Sequence, residues 1–397
     1  METVTEGRVA VAGMSAIGVG YGFARYGYGL FLPRLEAEFS LSVAQTGLIG
    51  SLTYAGYLAA LAAVGALVAK VGPRPLILTG GVTAAAGLAL AAVARGPVLL
   101  ICGLALAGTS PAFLWSPYAD AIGDLVRPGR RERMLALIPC GTAFAVAVAG
   151  PLALLVPGWR VVWLVFAVLA LATTVYNGLL LPRGAVVPAR GRLSPGWFTR
   201  RRALPLDATA LSYGLLGSVY WTYAVAAVRA IPGPLFWTVV GLSGTAGVMT
   251  ARLLSRLGPS TGHLVLLLAQ AAALALLGVA PGVPAAAVGS ALLYGFGFLA
   301  FGGLMAVWAY RVFPEQRATG LSATFLMIGA GSVAGPAVLG AVAAHHGLGA
   351  AFLVTAASRA LTTLARPRRA VPGLAVPDST VEEWGSSRTP GGPRPLR

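Results

Sequence analysis

Gly65-Ala-Leu-Val-Ala-Lys-Val-Gly-Pro-Arg74 is a short, weakly charged break between two apolar runs, and a shorter version of it returns as Arg256-Leu-Gly-Pro259. Both copies place a basic residue, one aliphatic residue and then Gly-Pro. Glycine and proline stop a helix there, and the cation stays at its wet end. The copies lie 186 residues apart (256 − 70), close to half of a 397-residue chain. A second echo, Ala149-Gly-Pro151 and Ala334-Gly-Pro336, repeats at nearly the same offset. Each member follows a basic loop, Arg127-Pro-Gly-Arg-Arg-Glu-Arg133 and Phe313-Pro-Glu-Gln-Arg317. Two matched punctuation marks at one offset indicate a duplicated architecture.

Working outward, composition decides the solvent. The chain is 57% hydrophobic and 10% charged, against roughly 25% charged residues in a soluble domain. Apolar runs of about 20 residues, the length that crosses a bilayer, recur along most of it. A net charge of +17 would suggest nucleic acid in a soluble protein. Here the cations fall in short loops between apolar runs, so membrane topology accounts for them and no nucleic-acid partner is expected. Cys102 and Cys140 both lie inside apolar runs, which excludes a disulfide framework or a metal-ligand spacing. The N-terminus leads straight into a long span without a small-residue cleavage pattern and reads as an uncleaved first helix.

Twelve spans are predicted, at residues 9–33, 45–69, 75–94, 97–121, 134–156, 160–181, 205–229, 235–254, 262–280, 284–310, 318–343 and 349–365. Lysine and arginine crowd the connectors after even-numbered spans: Lys70 and Arg74, Arg127 to Arg133, Arg183 to Arg202, Arg252 and Arg256, Arg311 and Arg317. After odd-numbered spans there are only Arg34, Arg95, Arg160 and Arg229. The positive-inside rule then puts both termini in the cytoplasm. The fold class expected is an all-α membrane protein of twelve transmembrane helices in two pseudo-symmetric six-helix bundles. The bundles are residues 1–182 and 205–366, a cytoplasmic linker spans 183–204, and a Pro/Gly/Ser-rich tail at 367–397 is expected to be disordered. Arg359 lies in the middle of the short last span. Either it faces a cavity or partner helix, or the helix frays early and the side chain snorkels.

With these residues in view the chain resembles the major facilitator superfamily of secondary transporters, over about residues 9 to 365. The likeness rests on six plus six spans, a basic central loop and the Gly65…Gly72-Pro73-Arg74 turn. It rests also on Arg25-Tyr-Gly-Tyr-Gly-Leu-Phe-Leu-Pro-Arg34 in the first span, Tyr54-Ala-Gly-Tyr57 in the second and Gly158-Trp-Arg160 opening the sixth. The sequence departs from the family where Ala69 replaces an acidic residue of the turn, and where Leu104 stands at the position of an arginine common in drug/proton antiporters. The resemblance implies that spans 1, 4, 7 and 10 line a central cavity.

Gly18, Tyr21, Arg25, Tyr28 and Leu32 recur every three to four residues and so share one face of a regular helix. Arg25 lies about 24 Å along that helix from Val9, within the apolar layer or at its outer edge. An intramembrane arginine flanked by tyrosines suits an anionic or polar group, with aromatic walls for the rest of a solute. The alternative is a structural tie to a neighbouring helix. Trp115 and Tyr118, Tyr213 and Tyr220, and Tyr294 and Phe298 complete the candidate substrate-binding set, while Trp308 is expected in the interface belt. Asp120 is the candidate for ion coupling, or else for an inner-gate latch onto Lys70 or Arg74. Pro111, Pro117, Pro139, Pro151 and Pro336 are candidate flexing points or static kinks.

The expected function is secondary active transport of a small amphipathic or anionic organic solute across the cytoplasmic membrane by alternating access. Export is the first reading, with proton coupling left open. Uptake of an organic anion is the alternative, and a non-transporting sensor is a third. No catalytic set appears within the spans, so an enzyme is not expected; nor are a metal or a cofactor. The partners expected are the solute and the lipid bilayer, with the chain acting as a monomer.

Overall fold

A computed structural model describes residues 5–183, 201–313 and 317–367. The expected linker lies almost wholly outside these residues, as does the expected tail. Among the described residues the structure is helical throughout, and the chain runs back and forth as twelve rods, six before residue 184 and six after residue 200. The first rod joins α1 (Glu6–Ile17), a π-helical stretch (Gly18–Arg25) and α2 (Gly27–Phe39). Next come α3 (Val43–Val71), α4 (Pro73–Ala92) and α5 (Pro97–Leu125). A 3-10 turn with α6 (Arg131–Leu137) and α7 (Cys140–Leu155) makes the fifth rod, and α8 (Trp159–Leu180) the sixth.

The second set opens with α9 (Leu204–Ala227) and α10 (Gly233–Thr245). It continues with α11 (Thr250–Val279), α12 (Pro284–Val312) and α13 (Arg317–Thr362). Unbroken, the 46 residues of α13 would reach about 69 Å, more than twice a hydrocarbon core. It divides at Gly347 (φ 82°, ψ 161°), as α11 divides at Gly258 (φ 73°, ψ 161°). Gly72 and Gly158 hold the same positive φ between α3 and α4 and before α8. A side chain rarely adopts that conformation, so the Gly-Pro of the repeated turn is a requirement of the bend itself. Gly72 and Gly258 are the two copies of that turn, and the duplication seen in the sequence is a duplication of backbone geometry.

Eight helices of the described residues are long and apolar enough to cross a bilayer. Large side chains point outward along them, Leu155 at 80% and Leu179 at 83% exposure. So much apolar surface suits lipid and not water. The connectors sort as the charges imply. Near one end Arg130 pairs with Glu6 at 2.8 Å, and Arg74 donates to the Gly178 carbonyl at 2.7 Å. At the other, Arg160 pairs with Glu38 at 2.5 Å and donates to the Ala94 carbonyl. We term these the arginine-rich and arginine-poor ends.

The two sets of rods pack along α3 with α13, α7 with α10 and α2 with α9. Contact is closest at the arginine-poor end. A Cβ on Gly29 of α2 would collide with the Trp221 carbonyl oxygen of α9. The Tyr223 hydroxyl donates to the Pro336 carbonyl at 2.9 Å, and the Ala337 amide donates to Ser51 Oγ at 3.0 Å. Proline breaks the helical ladder at 336; Tyr223 of the same set and Ser51 of the other use the backbone atoms beside it. Pro336 thus serves as a docking point between the sets. If Gly29 is what lets this end shut, Gly29→Val holds it apart. Spin labels on Ala37→Cys and Arg229→Cys then move apart by several ångström in pulsed-EPR distances, and an unchanged distance distribution refutes the assignment.

Candidate functional site

The first rod widens at Gly18–Arg25, where the Tyr26 amide donates to the carbonyl of Tyr21, five residues back, at 3.0 Å. Such π-turns are rare and gather at functional sites. Each adds a residue to the turn, rotating the side chains beyond it by about 100° relative to a regular helix. This explains which tyrosines meet Arg25. Tyr21 keeps the expected face, whereas Tyr28 is carried off it and donates instead to the Thr46 carbonyl at 2.9 Å. Tyr26, which a regular helix would aim elsewhere, turns inward.

Arg25 is buried, and its guanidinium lies within reach of four ring faces. The centroid distances are 4.2 Å to Tyr57, 4.6 Å to Tyr54, 5.6 Å to Tyr21 and 6.0 Å to Tyr26. Among the described residues, no aspartate or glutamate lines the cavity beside it. The negative faces of the rings compensate the charge, each worth about 0.5–2 kcal/mol. Tyr54 and Tyr57 come from α3, three residues apart and so on one face. In the sequence they only support the family resemblance; their spacing is the signal that would have found them.

The cavity these residues line holds about 260 Å³. Its deep wall is formed by Arg25, Tyr26 and Trp221. It continues past Tyr57, Trp115, Tyr213 and Phe298 toward Leu135 and Leu321, near the arginine-rich end. Tyr26 stacks on Trp221 across the two sets of rods, at 4.0 Å and 13°. Beyond that stack lies the Gly29 contact, so the cavity stops at the closed end.

Of the expected binding residues, Arg25, Tyr21, Trp115, Tyr213 and Phe298 are brought together here. Tyr28, Tyr118, Tyr220 and Tyr294 are not among the lining residues. Tyr118 donates to Asn177 Oδ1 at 2.6 Å. Tyr220 stacks on Tyr294 at 3.5 Å and shares a hydrogen bond with Ser290, while Tyr294 donates to the Gly217 carbonyl. These two fill the packing layer between α9 and α12 behind the wall. The seven-residue step from Tyr213 keeps Tyr220 on the same face but carries it about 10 Å further along the helix.

Around the expected latch, Lys70 is exposed, Asp120 is half-buried, and Arg74 shares a small cleft with Asp124. Trp308 is not a belt residue. It is buried edge-on against His263, because α12 and α11 pack there. Arg359 is fully buried, donating at 3.4 Å to the carbonyls of Ser212 and Tyr213 on α9, so it faces a partner helix.

Comparison with known proteins agrees with this architecture. Residues 17–366 match the family described as uncharacterised MFS-type transporter YbfB. The chain belongs to the major facilitator superfamily. Within this family, a stretch covering 54% of the chain is 32% identical to monocarboxylate transporter 11 of Mus musculus. Another, 42% of the chain, is 29% identical to multidrug resistance protein MdtH of Salmonella typhimurium. The matches span 49% and 41% of those relatives' own lengths. Among solved structures, a D323A mutant of the nucleoside transporter NupG superposes with a TM-score of 0.73 at 14% identity, over 90% of this chain and 98% of that one. A bacterial homologue of the lysosomal transporter Spinster, inward-facing and unoccupied, gives 0.64 at 15%, over 90% and 94%. At such identities the likeness is one of fold. It makes the chain an all-α, multi-pass membrane protein.

If ring faces hold Arg25, Tyr57→Phe keeps the protein's melting temperature close to wild type. Tyr57→Leu lowers stability by about 0.5–2 kcal/mol, read as a drop in melting temperature of the detergent-solubilised protein. Equal effects of the two substitutions would exclude the ring face as the cause.

Proposed function

We propose that this protein is a secondary active transporter. It moves a small anionic or amphipathic organic solute across the cytoplasmic membrane, with export as the first reading. The observation that carries the proposal is Arg25, a buried cation without a cavity carboxylate among the described residues, at the deep end of a ring-walled chamber. An ionised group in that position marks a solute path, and its missing counter-charge is one a solute can supply. The cavity lies below the roughly 300–1,000 Å³ of drug-sized pockets, which favours a small solute.

Two six-helix halves, 1–182 and 205–366, rock about the site, joined by a cytoplasmic linker. Both termini are cytoplasmic, because the arginine-rich end takes the inner side. The chamber then extends inward while the Gly29–Trp221 contact closes the outer end, an inward-facing arrangement. The relative named a multidrug resistance protein supports export. The relative named a monocarboxylate transporter supports an organic anion, whose uptake is the second reading. Asp120, with Lys70 and Arg74, is proposed as the inner latch or the coupling group.

Flux of a radiolabelled organic-anion panel into and out of proteoliposomes, with and without a pH gradient, tests direction and coupling. Arg25→Ala abolishes flux while membrane insertion stays at the wild-type level; full flux in this variant removes Arg25 from the path. Tags placed before residue 9 and within 183–204 are reached from the same side of the membrane. Labelling from opposite sides overturns the topology. Binding of a solute without any flux would favour the sensor reading.

A further inference from the structure

Building on the proposed solute path, we infer that the transported molecule is a monocarboxylate with a flat apolar body, and that its carboxylate is held by two N–H donors. One is Nε of Arg25, before the midpoint of the chain; the other is Nε1 of Trp221, after it. Both atoms are buried and lack an acceptor. A buried donor left so costs about 1–3 kcal/mol, more when charged, and folded proteins pair nearly all of them. Other unpaired buried polar atoms occur among the described residues, on Trp163, Trp237, His263 and Arg359 for example. Of these residues, only Arg25 and Trp221 combine such an atom with a place on the cavity wall. They belong to opposite halves and meet around one residue: Tyr26 stacks on Trp221 and sits 6.0 Å from the Arg25 guanidinium.

The way each donor is held fits an oxygen ligand. Arg25 is gripped through its faces, by Tyr54 and Tyr57. Ring faces compensate the charge, and Nε, one of the in-plane N–H groups a carboxylate takes, is left without an acceptor. Trp221 is likewise held by its ring, stacked on Tyr26 and edge-on to Trp237 at 5.3 Å and Phe298 at 5.4 Å. Its indole is fixed without use of its one donor.

Charge and shape narrow the class further. Among the described residues Arg25 is the one charged side chain on the lining, so a single negative charge is balanced. A dianion would carry an uncompensated charge into an apolar site, and a cation would meet Arg25 without a counter-ion. Below the donors the walls are Tyr21, Tyr57, Trp115, Phe298 and Phe325, ring faces suited to a flat apolar body. Because the donors come from different halves, the bound carboxylate bridges them beside the closed end. Occupancy is thereby tied to the gate.

The test is equilibrium binding of radiolabelled benzoate, phenylacetate and 4-hydroxybenzoate to the full-length protein in lipid nanodiscs. Benzamide, a neutral molecule of the same shape as benzoate, and phthalate, a dianion, serve as competitors. At least one monocarboxylate binds, and benzamide and phthalate compete at least about tenfold more weakly, the worth of a charge-assisted hydrogen bond. Trp221→Phe keeps an aromatic ring for the stack on Tyr26 but deletes the N–H, and weakens binding about tenfold by the same reckoning. Trp163→Phe, which alters an unpaired indole away from the cavity, leaves affinity unchanged. If no monocarboxylate binds the wild-type protein, the anion reading under the proposed function falls, and this inference with it. If one binds equally well to wild type and Trp221→Phe, or if benzamide matches benzoate, the two-donor site alone is overturned.

Discussion

A guanidinium inside an apolar bundle needs compensation, and the way Arg25 obtains it organises the centre of this molecule. A carboxylate partner would have cancelled the charge within the protein and left nothing for a solute. Tyrosine faces compensate it only in part, by their quadrupoles, and its Nε is left without an acceptor. Under the proposed function, that partial compensation leaves the centre able to take an anion.

That arrangement depends on backbone irregularities placed where they serve it. The π-turn of the first rod brings Tyr21, Arg25 and Tyr26 to the cavity together. Tyr26 then reaches the second half through its stack on Trp221. Pro336 acts comparably at the closed end, offering its carbonyl to Tyr223 and the neighbouring amide to Ser51. In lipid, backbone groups released from a helix must find partners elsewhere in the protein. Ser51 lies in the first half and Tyr223 in the second, so the break at Pro336 ties α13 to both α3 and α9.

Packing against the rods is otherwise a matter of small residues. Gly29 allows the Trp221 carbonyl against its backbone, and this approach, more than any ion pair, shuts the arginine-poor end. Arg359 shows the complementary solution for charge away from the cavity: complete burial, with two carbonyls of α9 and the Tyr213 ring around it. Two buried arginines thus have different tasks, one closed off by backbone oxygens and the other facing the chamber.

The sequence alone determined the helical rods, the duplicated Gly-Pro turn, the sorting of cations to one end and the presence of Arg25 deep in the first rod. These arise from local chemistry: apolar length, a glycine at positive φ, a charge too costly to bury idly. Only the tertiary structure decided that Tyr26, Tyr54, Tyr57 and Trp221 share the cavity, while Tyr28, Tyr118, Tyr220 and Tyr294 do not line it. A π-turn leaves no pattern in residue spacing, yet it rotates every later side chain of its rod. Which wall of one helix another covers is set by backbone approach across the bundle, a distance that no single stretch of sequence contains.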